Sequence, residues 1–218
     1  MKIQHHPDDS TLMSFAAGTL VEPLAAVIAT HVAMCPHCQS ELKLMEQLGF
    51  ACLRELPDEG LVGPTPVSRL AKAAESAART AEPSALASAR PDVPPPLRRF
   101  VGDRIDAIVW KRLGPGVWHK PLPLSAGTDG DLRLLKVAAG RAMPEHGHGG
   151  TELTLILRGA YVDRFGRYGV GDIADLDEDA EHKPLVEAAE PCICLVASER
   201  KALFKGLVSR LVQPLTGM

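Results

Sequence analysis

The run His31-Val-Ala-Met-Cys35-Pro-His-Cys38, with His6 far upstream of it, constrains the chain more than any other feature. His6…His31-x3-Cys35-x2-Cys38 offers two imidazole nitrogens and two sulfurs, the donor set of tetrahedral zinc. Four protein ligands leave no coordination position open, so such a site builds structure and does no chemistry. His31 and Cys35 are four residues apart and face the same way near the end of a helix. The Cys-Pro-His-Cys turn then returns Cys38 at the start of the next helix, whose N-terminal dipole favours thiolate. His6 must reach in from the first segment. His5 is its rival, and His37, inside the CxxC, is expected to point away. A redox reading of the CxxC lacks the strand that precedes a thioredoxin-like pair. Cys52 falls on an apolar stripe and is expected in the core.

The pattern around these residues is helical. Asp8-Asp9-Ser10 can cap a short helix that carries Leu12, Phe15 and Ala16 and ends near Gly18. A second helix is predicted over 22–34, with Pro23 acceptable in its first turn. A third, from 36 to about 56, carries Leu42, Met45, Leu48 and Cys52 at spacings of three and four. A fourth, Ala-rich and poor in large apolar residues, is predicted over 67–80, where it can dock on a partner. A metal staple suits such a small core.

At 218 residues, 45% hydrophobic and 23% charged, the chain fits one large domain or two small ones. It lacks an apolar run of spanning length and a signal-peptide core, so a cytoplasmic location is expected. Five cysteines, two in a metal-type pair, favour thiols and zinc over a disulfide framework. Residues 1–85 hold 6 Lys and Arg against 10 Asp and Glu, a net of −4; the rest, with 18 against 17, is near neutral. That argues against direct nucleic-acid binding by the first half and suits a basic protein partner.

The character changes in the middle. Residues 81–99 are rich in Pro, Ala and Ser, and Pro94-Pro95-Pro96 favours extended polyproline geometry. We read 86–104 as a linker between a helical domain at 1–85 and a second domain at 105–200, with a tail at 201–218. The second domain reads as short strands, at 132–139, 151–157, 160–164 and 192–197, separated by glycines, which suggests a sandwich or barrel. Apolar spacing over 203–212 suggests a final helix.

A second metal pattern lies among those strands. In Gly140-x5-His146-x-His148-x3-Glu152-x6-Gly159, His146 and His148 are two apart and share a strand face. The pattern resembles the first cupin motif at every spacing. The resemblance implies an all-β barrel in which His146, His148 and Glu152 bind a metal with a third histidine, for which His182 is the candidate. The second cupin motif is degenerate: Gly171-Asp172 is present, but the Pro-x-Gly before the histidine and the Asn after it are not. Three imidazoles and a carboxylate suit zinc first here, with other divalent metals open. Cys192 and Cys194 share a strand face and are candidate redox thiols, with plain core packing the simpler reading. His119 falls outside the motif and is expected not to bind metal.

Residues 1–80 resemble the zinc-binding anti-sigma domain, whose ligands fall on His6, His31, Cys35 and Cys38. With the cupin behind it, the chain resembles the zinc-dependent anti-sigma factors of the ChrR type. The resemblance implies an α + β multidomain protein: a zinc-stapled four-helix anti-sigma domain followed by an all-β cupin barrel. It further implies a 1:1 complex with an extracytoplasmic-function sigma factor of group IV, held from RNA polymerase until the cupin receives an oxidative signal such as singlet oxygen. No catalytic residue, nucleic acid or membrane is expected. The alternative is a metal-dependent cupin enzyme, a dioxygenase or isomerase, for which Arg141, Glu145, Arg158 and Tyr161 offer polar groups.

Overall fold

Strand periodicity sets the frame. The computed structural model describes residues 2–54, 91–144, 146–147, 150–177, 179–199 and 203–204. Within them, β1 (Lys111–Gly114), β2 (Val117–Pro121), β3 (Asp131–Val137), β5 (Glu152–Arg158), β8 (Ile173–Leu176) and β10 (Cys192–Ser198) form one antiparallel sheet in the order β1-β2-β3-β10-β5-β8. β6 (Tyr161–Asp163), β7 (Gly166–Tyr168) and β9 (Leu185–Val186) form a second sheet in the order β7-β6-β9. β4 (His146–Gly147) pairs with β11 (Leu203–Phe204). This is the expected cupin-like barrel. The predicted final helix is corrected where it can be seen: 203–204 is extended and pairs with β4, while 205–212 lies outside the described residues.

The long strands read as nearly continuous apolar runs because both faces of the large sheet are covered. Inward, Val137, Ile156, Cys192 and Cys194 pack with Tyr161, Tyr168, Leu176 and Val186. Outward, Leu132, Leu134, Leu153, Leu155, Leu195 and Ala197 pack with helix residues. Leu195 lies opposite Leu134 on one side and Leu155 on the other, and all three have no exposed surface. Fully burying each such leucine contributes about 1.5–3 kcal/mol.

The outward face is covered by α1 (Asp9–Ala16), α2 (Glu22–Met34) and α4 (Pro95–Val101), whose Leu12, Leu24, Val27, Ile28 and Leu97 join that core. α2 touches β10, β5 and β3, so the helical region and the barrel share one apolar core. At the other end of α2, the Glu22 carboxylate accepts the Ser125 amide and the Thr128 hydroxyl, both at 3.0 Å, from the β2–β3 loop. α3 (Pro36–Arg54) follows α2 after one residue.

The described part of the expected linker departs from polyproline. Pro95 and Pro96 open α4, where the missing N–H leaves no intrahelical bond unmade. Val93 and Leu97 are 2% and 1% exposed, and Arg158 pairs with Asp106 at 2.6 Å and Asp92 at 3.2 Å. Residues 91–104 are therefore bound to the barrel's outer side. The predicted fourth helix at 67–80 lies outside the described residues. No described helix is long and apolar enough to cross a membrane.

Candidate metal centre

Three short segments converge at the end of α2. His31 sits in its last turn, Cys35 caps it, and Cys38 lies in the first turn of α3. The one-residue break at Cys35 reverses the chain, and the Cys35 carbonyl already accepts the Gln39 amide of α3. His6 arrives on the extended segment before α1. Its Nδ1 is 3.5 Å from Cys35 Sγ and 3.4 Å from Cys38 Sγ, and His31 Nε2 is 3.2 Å from Cys38 Sγ. All four ligand atoms lie within 4.8 Å of one another. A zinc tetrahedron with Zn–S of about 2.3 Å and Zn–N of about 2.0 Å separates S from N by about 3.5 Å. The donors present fit that group.

The electrostatics agree with the geometry. Burial drops His31 to about 4, even though its bond to a carbonyl opposes the drop, so its ring is neutral and can ligate at neutral pH. Burial, then the nearby His37, lowers His6 as well. Burial and the neighbouring Cys35 push the Cys38 thiol up to about 12. Without a cation the Cys38 thiol would stay protonated; a bound divalent ion reverses that balance.

His5 and His37 fall outside the cluster. His5 packs at a tilt against Tyr168 with centroids 4.4 Å apart, and His37 is exposed, its ring edge-on to His6 at 4.7 Å. Cys52 corrects its expectation: it is exposed, because α3 carries its apolar stripe away from the core after Met45.

Within the barrel, the structure locates part of the second candidate set. Glu152 opens β5 and is 7% exposed; His182 is 3% exposed. His182 Nδ1 bonds to Asp163 Oδ2 at 3.0 Å. Burial raises Asp163, but the His182 bond and the Phe165 and Gly166 amides outweigh it and hold the carboxyl below its usual range. His146 lies on β4, and His148 lies outside the described residues. Asp163 is absent from the sequence reading; its signal is its spacing of two from inward-facing Tyr161. The Tyr161 hydroxyl is buried with no hydrogen-bond partner among the described residues. Cys192 and Cys194 face the same interior, and the Cys192 bond with burial lifts the Cys194 thiol well above its ordinary value.

Among the described residues, the groups suggested for an enzyme do not gather. Arg158 pairs on the outer side, Arg141 is exposed, Tyr161 is inside and Glu145 lies outside the described residues. His119 is buried on β2 beside Arg133, 3.3 Å away, in register with Leu135 and through it with Cys194.

Comparison with known proteins follows the same division. The ChrR cupin-like domain matches residues 99–202. The anti-sigma-E factor ChrR of Cereibacter sphaeroides is 37% identical over 214 residues, 98% of each chain. The crystal structure of Rhodobacter sphaeroides SigE in complex with the anti-sigma ChrR is similar at a TM-score of 0.70 and 36% identity, covering 90% of this chain and 99% of that one.

Proposed function

The chain belongs to the ChrR family of anti-sigma factors, and from that premise we propose that it binds an extracytoplasmic-function sigma factor of group IV in a 1:1 complex and keeps it from RNA polymerase. An oxidative signal received by the cupin, singlet oxygen or a related reactive oxygen species, then frees the sigma factor. A cytoplasmic location follows from that partner. The family is one of regulators, and no residue here is given a catalytic role.

The observation that carries the reading is α3. Its first turn holds Cys38, 2% exposed, and beyond Met45 it presents Leu48, Phe50 and Leu53 at 58%, 64% and 65% exposure. Large apolar side chains on one helix, anchored at one end and bare at the other, suit burial against a protein partner. The net acidic first half adds complementarity to a basic one.

His6, His31, Cys35 and Cys38 hold zinc in this reading. The ion supplies a closed, structural coordination shell. The ligating residues tie the N-terminal segment, the end of α2 and the start of α3 together, which fixes the direction in which α3 leaves the body. In the barrel, His146, His148, Glu152 and His182 hold a second ion, most readily zinc. Asp163 fixes the His182 tautomer through its second nitrogen, as outer carboxylates do for metal-binding histidines. The orphan Tyr161 hydroxyl suits a small polar occupant near Asp163, Glu152 and Cys194. Cys192 and Cys194 line that space and are the thiols that an admitted oxidant meets.

Release needs little energy. With the anti-sigma factor in excess, lowering occupancy from 99% to half takes about a 100-fold loss of affinity, about 2.7 kcal/mol. Co-expression with a sigma factor encoded beside it tests the reading. The full chain is expected to co-elute with that sigma factor one to one and to suppress transcription from its promoters. A metal-loaded chain that neither binds nor suppresses contradicts it.

A further inference from the structure

The ligand-bearing segments are held by one turn of the barrel. The His31 ring donates from Nδ1 to the Gly171 carbonyl at 2.9 Å, with both groups buried. The next residue, Asp172, is 5% exposed and uses both carboxylate oxygens. Oδ1 accepts the Gln4 and His5 amides at 2.6 and 3.0 Å, and Oδ2 accepts the Gly169 amide at 2.8 Å. The Ile173 amide closes the contact by donating to the His5 carbonyl at 3.2 Å. His6, the ligand farthest in sequence from the others, thus follows a backbone pinned to one barrel carboxylate. Two of the four candidate ligands, from segments that share no secondary structure, are positioned by adjacent barrel residues.

That turn also belongs to the barrel's ladder. The Gly171 amide donates to the Ile156 carbonyl at 2.9 Å, and the Ile156 amide to the Asp172 carbonyl at 3.0 Å. Ile156 lies on β5, the strand that Glu152 opens. A second link runs beside it: the His5 ring packs at a tilt against Tyr168, and Tyr168 stacks on inward-facing Tyr161 with centroids 5.0 Å apart.

Resting on the ligand assignment above, we propose that Gly171 and Asp172 are positioning residues of the N-terminal metal, so that the cupin barrel supplies that metal's outer shell. Outer-shell partners fix ligand orientation and tautomer, and their loss costs about 10–100-fold in metal affinity. Because binding linkage is reciprocal, the metal must also steady the turn.

Cobalt(II) tests this in the full-length chain. Only the N-terminal ligand set contains sulfur, so a thiolate-to-cobalt absorption band reports that site even when the barrel is also loaded. Asp172→Ala is expected to lower cobalt affinity at that site at least about 10-fold, in competition with a chelator, and to shift the band. Asp172→Asn keeps one acceptor oxygen and is expected to fall between Asp172→Ala and the wild type. Leu122→Ala, a core truncation just beyond β2, with β3, β10 and β5 between it and β8, is expected to lower stability and leave the band in place. A wild-type band that Asp172→Ala leaves unchanged in position and affinity overturns the positioning role alone. A wild-type chain with no band overturns the ligand set and the positioning role together. Should Asp172→Ala fail to fold, Asp172→Asn decides by the same two readouts.

Discussion

His182 and Asp163 form a buried pair, Nδ1 to Oδ2 at 3.0 Å, with 3% and none of their side-chain surface exposed. Asp163 stands on β6 and His182 on the loop before β9, so the bond joins two parts of the small sheet's surroundings. Asp163→Asn is expected to destabilise the native protein at neutral pH by about 1–3 kcal/mol, measured by denaturant unfolding. The native carboxyl titrates below its ordinary 3.8. Its contribution is therefore complete above 3.8 and is lost as pH falls through the lower native value. Asp163→Asn should flatten the acid limb of the stability profile in that window. A variant with wild-type stability and an unchanged acid limb would show that the pair contributes nothing.

Gly171 meets a second constraint besides its bond to His31. Its φ is +89°, and a Cβ there would lie 2.6 Å from Ile3 Cδ1. Gly171→Ala combines left-handed backbone strain with a clash against the segment that delivers His6. The expected cost is about 2–4 kcal/mol, read from the unfolding midpoint of the full chain. A change under about 0.5 kcal/mol would mean the turn relaxes freely.

How much of this could be read from the sequence depends on the range of the interaction. The ends of α2 were set locally, by Pro23 at its start and the Cys35-Pro36 step at its end, and the prediction over 22–34 matches Glu22–Met34. Glycines with positive φ at 140 and 159 bracket the cupin pattern, and Gly159 brings its backbone against Pro191. The choice of His6 over His5 came from the family resemblance and is borne out; its physical cause is visible only in the fold, where the amides of residues 4 and 5 are bonded to Asp172 and His6 turns toward the cysteines. Pro94-Pro95-Pro96 misled because proline fits a helix's first turn as well as an extended run. Cys52 misled because an apolar stripe at helical spacing does not say whether its partner lies in the same chain. The packing of α2 on the barrel has no local signature at all: Leu24 and Ile28 meet Leu153 and Leu195 only through the tertiary fold.

The cysteines should separate by reactivity. Cys52 is exposed, whereas Cys192 and Cys194 are buried and the Cys194 thiol is held protonated. A chromogenic disulfide reagent is expected to titrate Cys52 rapidly in the native, metal-loaded protein, and Cys192 and Cys194 only on unfolding. Fast native labelling of Cys194, located by peptide mapping, would contradict the burial of that thiol.

The bare end of α3 should carry binding energy without carrying the fold. Phe50→Ala and Leu53→Ala remove side chains that are 64% and 65% exposed, so unfolding midpoints should stay close to that of the wild type. Each is expected to weaken sigma-factor binding by about 1–3 kcal/mol in titration calorimetry. Unchanged binding in the double variant would move the interface elsewhere.

In the function proposed above, the N-terminal metal cluster sets the grip on the sigma factor. The most direct measurement is the dissociation constant of the full-length chain for its sigma factor, comparing wild type with Cys38→Ser, with zinc counted in each. Cys38→Ser is expected to lose the N-terminal zinc and to bind at least about 100-fold more weakly. Loss of the zinc with wild-type affinity retained would contradict it.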